Sequence, residues 1–294
     1  GPEQIGLDRL EITSKDVRLL DGTPDRRPLL AEKEFRGLRV ELQGAVYGYR
    51  EAVEWVPWLE NRGNENTDTI CDIRAADLCL PAEKAEQLRY SGIHGDCDAG
   101  DGFLPFDYAL SPGSRWRVVP KGGRSSNEEF PYFDLSDRTS LLITAIGWTG
   151  QWQYELSRDE RALRLAVGLE DACFYLRPGE RVRLPRVLFK AHEGDPADGH
   201  NDFRALLREH FTPKTPSGEL VSMPIAYAGF GRYSDTDPSY LTEAGQKRVV
   251  DCAARMGWVN TLWLDAGWFK GVFPFGVGNY SFREGFPNGL KPVS

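Results

Sequence analysis

The residues best suited to chemistry lie in NTLWLDAGWFKG (260–271). An apolar run there ends in one carboxylate, Asp265, and Trp268 and Phe269 follow it among glycines. A carboxylate in such a place can accept hydrogen bonds from adjacent hydroxyls of a sugar, and charge-assisted bonds are the strong kind. Aromatic rings beside it can wall the pocket and stack on the sugar's C–H face. The same residues also suit an ordinary turn, with Asp265 as its cap and the rings packed beneath. Spacing alone leaves both readings open.

Other constellations carry less. GGRSSN (122–127) has no Gly-Lys-Ser/Thr after it and reads as a β-turn rather than a phosphate loop. DCDAGDGFLPFD (96–107) sets Asp96, Asp98 and Asp107 at the first, third and twelfth places of a calcium-type loop, but the required glycine is missing, which favours a plain turn. In GWTGQW (147–152), Trp148 and Trp152 read as packed strand-end residues before they read as a sugar-binding edge. The histidines, His94, His192, His200 and His210, show no metal-ligand spacing, and Glu180 reads as a solvated or salt-bridged turn residue. No metal site and no cofactor is expected. Cys71, Cys79, Cys97, Cys173 and Cys252 are odd in number and lack C-x-x-C spacing. Reduced thiols in a cytoplasmic protein follow as the expectation.

These residues must be held by something. The 294 residues exceed one ordinary domain, and 40% hydrophobic content is enough for sizeable cores. A net charge of -8 disfavours nucleic acid and anionic membranes, which need clustered Lys and Arg. No apolar run reaches the ~18 residues of a membrane helix. A neutral partner fits that charge better. The eight tryptophans suit a carbohydrate protein, although a β-rich core accounts for them more simply.

Two regimes divide the chain. Over 1–212, short alternating runs such as LRVELQGAVYGY (38–49), AVEWVPWLENRG (52–63), SLLITAIGW (140–148) and RLPRVLFKAHEG (183–194) are separated by Gly, Pro, Asn and Asp. Period-two runs of this kind predict an antiparallel β sandwich. HNDFRALLREHF (200–211) switches to helical spacing and closes that domain. A linker is expected over 213–220. Beyond it, MPIAYAGF (223–230) and NTLWLD (260–265) are apolar strands flanking a helix within 239–258, with Thr242 as N-cap and Gly257 past its end. Strand, helix, strand predicts a parallel unit over 221–294. The fold class expected is therefore α+β, a large sandwich followed by the first βα units of a (β/α) barrel. A closed eightfold barrel needs about 250 residues, so this one is expected to be incomplete and the chain a fragment of a longer enzyme.

LWLDAGWF, then GVGNY, then FPNGLKPV resembles the second-strand signature of glycoside hydrolase family 36, the α-galactosidase family. GGRSSNEEFPYFDL (122–135), AIGWTGQW (145–152), GLEDACFYLRPGERVRLPRVL (168–188) and GHNDFRALLREHFTP (199–213) resemble that family's N-terminal sandwich in the same order. The resemblance implies a retaining exo-glycosidase that acts on terminal α-linked galactosyl residues of an oligosaccharide or glycoconjugate. Its nucleophile and acid would lie on later barrel strands, beyond Ser294, so no catalytic residue is assigned here and the chain alone is expected to be inactive. It also implies Asp265, Trp268 and Phe230 as substrate-binding residues. The family pairs two aspartates at the end of strand two; here Ala266 stands second, and Phe230 takes the place of a common Trp on strand one. The sugar's axial 4-hydroxyl thus loses one acceptor, which leaves galactose, N-acetylgalactosamine and other α-linked hexoses open. The rival reading is a non-catalytic sandwich that binds carbohydrate or mediates oligomer contacts, and a homo-oligomer is compatible with either.

Overall fold

The structure, a computed structural model, describes residues 10–82, 87–96, 100–137, 139–228, 238–271 and 276–294. The chain divides into two units, Gly1–Phe211 and Thr212–Ser294.

Unit one is antiparallel throughout its described strands. The larger sheet comprises β1 (Arg18–Leu19), β2 (Arg27–Phe35), β3 (Leu38–Tyr47), β4 (Ala52–Asn61), β6 (Arg89–His94), β7 (Pro105–Ala109), β9 (Glu129–Ser136), β10 (Ser140–Gly147), β13 (Arg181–Arg183) and β14 (Arg186–Glu193). Its order is β1-β2-β3-β4-β14-β10-β9-β6-β7, with β13 also pairing with β4. The smaller sheet has the order β5-β12-β11-β8, formed by β5 (Arg74–Pro81), β8 (Arg115–Val118), β11 (Gln153–Arg158) and β12 (Ala162–Gly168). β4 joins β14 directly (Val53 opposite Phe189), a pairing across more than a hundred residues that no local pattern encodes.

The period-two runs have the expected consequence. Inward residues of both sheets make one core, with Tyr90, Phe133, Trp152, Tyr154, Leu165, Val167 and Val187 buried in it. Trp152 is fully buried and its Nε1 donates to the Ser125 carbonyl at 2.9 Å, so it serves packing. A second core lies on the other face of the large sheet, where Ala45, Tyr47, Leu141, Ile143 and Leu188 meet Phe203 and Leu206. Those two residues belong to helix α1 (Pro196–Leu206). Asp195 caps its start by accepting from the Ala197 N–H, and Pro196 at the first turn needs no donor. The helix thus begins earlier than its apolar spacing suggested, and Leu207–Phe211 continues as a π turn.

A polar anchor sits inside this apolar seam. Lys190 is only 1% exposed; its Nζ donates to the carbonyls of Arg50 (2.9 Å) and Ala191 (3.1 Å) and pairs with Asp202 Oδ2 at 2.7 Å. Arg50 binds Asp202 as well and reaches Glu209 at 2.6 Å. Burial raises the Asp202 carboxyl pKa, but the hydrogen bonds from Lys190 and Arg50 outweigh it and hold the group below the usual value.

One expectation is corrected here. Cys71 and Cys173 form a disulfide, whereas all five thiols were expected to be reduced. The two cysteines stand 102 residues apart, and only the tertiary approach of two loops joins them. Ile70 and Phe174 exchange backbone hydrogen bonds of 2.7 and 3.1 Å, which sets the adjacent cysteines side by side. Cys79 and Cys252 are free; Cys97 and Asp98 lie outside the described residues.

In unit two, β15 (Ala226–Ala228) and β16 (Thr261–Trp263) pair in parallel, and helix α2 (Glu243–Met256) lies between them in sequence. Thr242 accepts from the Gly245 N–H at 3.0 Å, and Gly257 closes the helix with a φ of 73°, a left-handed conformation that glycine adopts without strain. The backbone N–H of Ile225 donates to Asn260 Oδ1 at 2.9 Å, which fixes how the two strands begin together. The stretch expected as a linker carries its own bonds: Thr215 N–H to Glu219 O at 2.8 Å and Val221 N–H to Pro213 O at 3.0 Å.

Candidate functional site

β16 ends at Trp263, and the chain then passes through Leu264 to Asp265. Asp265 is exposed, and among the described residues nothing donates to its carboxylate or pairs with it. A turn-capping aspartate would accept from a following backbone N–H, as Asp137 does from Thr139 (2.8 Å) and Ser140 (2.9 Å) elsewhere in the chain. Asp265 has no such bond, so its acceptor capacity is left for something outside the turn.

The turn itself is fixed by other means. Gly267 has φ +83°, a left-handed conformation that favours glycine, and a Cβ there would come within 2.5 Å of Leu241 Cδ2, so that side chain would have to shift. Ala266 is buried. Beyond it, the chain goes out and returns: Lys270 N–H donates to Ser281 O at 2.8 Å, Arg283 N–H to Trp268 O at 3.1 Å, and Phe269 bridges Phe282. The Arg283 guanidinium ties the limb to Gly267 O at 3.2 Å. Two close limbs therefore leave the end of β16.

These limbs gather aromatic rings. Trp268 lies 5.3 Å from Phe269 in a near-perpendicular contact, 5.8 Å from Phe282 and 6.1 Å from Tyr280, centroid to centroid. Phe269 is buried, and Trp268 is half-buried; Tyr280 is 80% exposed. The buried ring supports the cluster while the outer rings keep faces open to a ligand. Sequence reasoning singled out Asp265 and Trp268 but not Tyr280 or Phe282. Their signal was present in GVGNYSF (276–282), whose Gly276, with Gly271 before it, allows the limbs to meet: a Cβ on Gly271 would lie 2.8 Å from Gly276 Cα. Phe230 lies outside the described residues.

The remaining candidates are structural. GGRSSN forms turns, with Gly122 and Gly123 at φ 65° and 70°. Asp107 is engaged by Arg89 at 2.6 Å and Ser91 at 2.8 Å. His200 pairs with Asp134 at 3.3 Å, and His210 packs on Tyr47 with centroids 4.6 Å apart. Among the described residues, no three His, Cys, Asp or Glu side chains are grouped to hold a metal ion.

No protein-family model and no curated protein sequence matches the chain. Solved structures do. The GH36 α-galactosidase AgaA from Geobacillus stearothermophilus superposes with a TM-score of 0.74 at 18% identity, over 94% of this chain and 41% of that one. The α-galactosidase from Lactobacillus brevis gives 0.71 at 16% identity, over 96% of this chain and 38% of that one. AgaB, also from G. stearothermophilus, gives 0.69 at 16%, with 86% and 36% covered. The chain thus has a glycoside hydrolase family 36-like fold, and it spans about two fifths of the length of these enzymes. Variants of AgaA have been crystallised with stachyose and with raffinose.

Proposed function

We propose that this chain is the N-terminal part of a glycoside hydrolase that acts on terminal α-linked galactosyl or closely related hexosyl residues. On this reading a (β/α) barrel follows the sandwich in sequence and begins with β15, α2 and β16, and Asp265 and Trp268 hold the sugar. Phe230 is the third contact on this reading. The observation that carries the proposal is the exposed Asp265 carboxylate, without a partner among the described residues, at the C-terminal end of a parallel strand, the face on which barrel enzymes build their sites. Oxygen-rich neutral ligands suit it, because vicinal hydroxyls donate to a carboxylate while Trp268 and Tyr280 offer stacking faces.

Bond cleavage in retaining glycosidases takes two carboxylates about 5–5.5 Å apart. No residue of this chain is assigned either role; both would stand on barrel strands outside it. The complete protein should hydrolyse an aryl α-galactoside, an aryl α-N-acetylgalactosaminide or another aryl α-hexoside, and residues 1–294 alone should not. Failure of the complete protein on all α-linked aryl hexosides overturns the proposal, as does turnover by 1–294 above a buffer blank.

The Cys71–Cys173 disulfide bears on where the protein works. Structural disulfides persist in oxidising compartments, so we assign this protein to one, in place of the cytoplasm expected from its cysteine spacing.

A further inference from the structure

The outer face of the large sheet carries a cleft of about 470 Å³, whose lining includes Arg26, Gln43, Glu54, Trp58, Arg183 and Arg186. That size lies within the range of small-molecule pockets, roughly 300–1,000 Å³. Its charge is unbalanced: three guanidinium groups face one carboxylate. Glu54 is buried and already engaged, taking the Tyr47 hydroxyl on Oε1 at 2.8 Å and lying 3.1 Å from Arg186 Nε through Oε2. Arg26 approaches the same Tyr47 hydroxyl.

The neighbouring arginines show what a balanced arrangement looks like in this sheet. Arg39 reaches Glu32, Glu41 and Glu60, and Arg181 reaches Glu41 at 2.9 Å while stacking on Trp58 at 4.2 Å. Arg183 differs. It is half-buried, its guanidinium lies 5.8 Å from the Trp148 ring, and among the described residues no carboxylate lies within ion-pair distance of it. Burial, and next the like charge of Arg186, push its pKa down. Two like charges held together in a partly desolvated cleft repel, and an anion between them relieves the repulsion. The rigid N–H fork of a guanidinium matches the paired oxygens of a carboxylate or phosphate.

We propose that this cleft binds a small oxyanion, a carboxylate- or phosphate-bearing molecule of about monosaccharide size, with Arg183 as its principal contact and Arg186 and Arg26 beside it. All its lining residues belong to Gly1–Phe211, and the proposal does not depend on the glycosidase reading.

Isothermal titration calorimetry of the full chain with inorganic phosphate and with glucuronate tests it, with acetamide, which is neutral and not a sugar, as the control. The expected result is saturable millimolar binding of at least one anion, weakened by added salt and absent with acetamide. Arg183→Gln should weaken it about tenfold or more, as loss of a charge-assisted contact does. Arg183→Lys, which keeps the charge but not the fork, should fall between. Arg89→Gln, at a distant strand already paired with Asp107, should bind as the parent does. Binding of phosphate and not glucuronate identifies the ligand as a phosphate, and the reverse result a carboxylate; both support the site. Absence of saturable heat with both anions overturns the proposal, as does binding that is unchanged in Arg183→Gln.

Discussion

Replacing Asp202 with Ala tests how the sandwich holds its helix. Asp202 is the carboxylate partner of Lys190, which is buried under α1. Breaking a buried pair by removing one partner typically costs 3–5 kcal/mol, because the remaining charge stays desolvated. Lys190 keeps two carbonyl acceptors at 2.9 and 3.1 Å, and Arg50 keeps Glu209, so the low end of that range applies. For a unit of this size each kcal/mol moves the melting midpoint by about 2–4 °C, so a loss of about 3 kcal/mol predicts a fall of about 6–12 °C. Replacing both members, as Lys190→Met with Asp202→Leu, removes the orphaned charge and should recover most of the loss. Differential scanning calorimetry of the parent, the single variant and the double variant reads these shifts. A single-variant shift under about 2 °C, or a double variant no better than the single, refutes the argument.

Three further outcomes follow from the same geometry. Asp202 has a depressed pKa, so its contribution is fully present above the unfolded carboxylate value of about 3.9 and is lost as pH falls through the lower folded value. The melting midpoint of the parent should therefore drop on acidification below about pH 4, and that drop should be shallower in the double variant. His200 is the opposite case: its hydrogen bond to Asp134 raises its pKa, so its contribution is present below about pH 6.5 and is lost as pH rises through the raised folded value; His200→Gln should flatten that part of a midpoint-versus-pH series. Cys71→Ser opens a loop of 102 residues and should cost about 2–5 kcal/mol, and reductant should lower the parent's midpoint while leaving the variant's unchanged.

The sandwich was legible because its strands each bury one face, so alternation appears directly in runs such as SLLITAIGW. α2 was legible from its ends, since Thr242 and Gly257 carry capping chemistry that only a few residue types supply. What escaped was long-range. The joining of β4 to β14 and the meeting of Cys71 with Cys173 both depend on segments more than a hundred residues apart, for which no spacing rule exists. The start of α1 was misplaced for a local reason: its first turn, PADG, is polar or small, and its cap, Asp195, lies before the apolar period begins. At the site, Asp265 stood out as the single charge closing an apolar strand. Tyr280 did not, because its approach to Trp268 depends on a glycine-hinged return of the chain. Nor did the cleft of Arg183 and Arg186, whose residues alternate with apolar neighbours as in any strand and become a site only when β2, β3 and β4 lie beside them.

The central claim is that Asp265 holds a sugar rather than a turn. Steady-state kinetics of Asp265→Asn in the complete protein, on the best aryl α-hexoside, test it most directly, with a thermal melt of the same sample. Asn keeps the shape and removes the charge, weakening bonds worth about 1.5–3 kcal/mol when an ion takes part. A fall of roughly ten- to a hundredfold in kcat/KM, with the melting midpoint unchanged, is the predicted result. Unchanged kinetics with a lowered midpoint would show that Asp265 serves the turn and would remove it from the site.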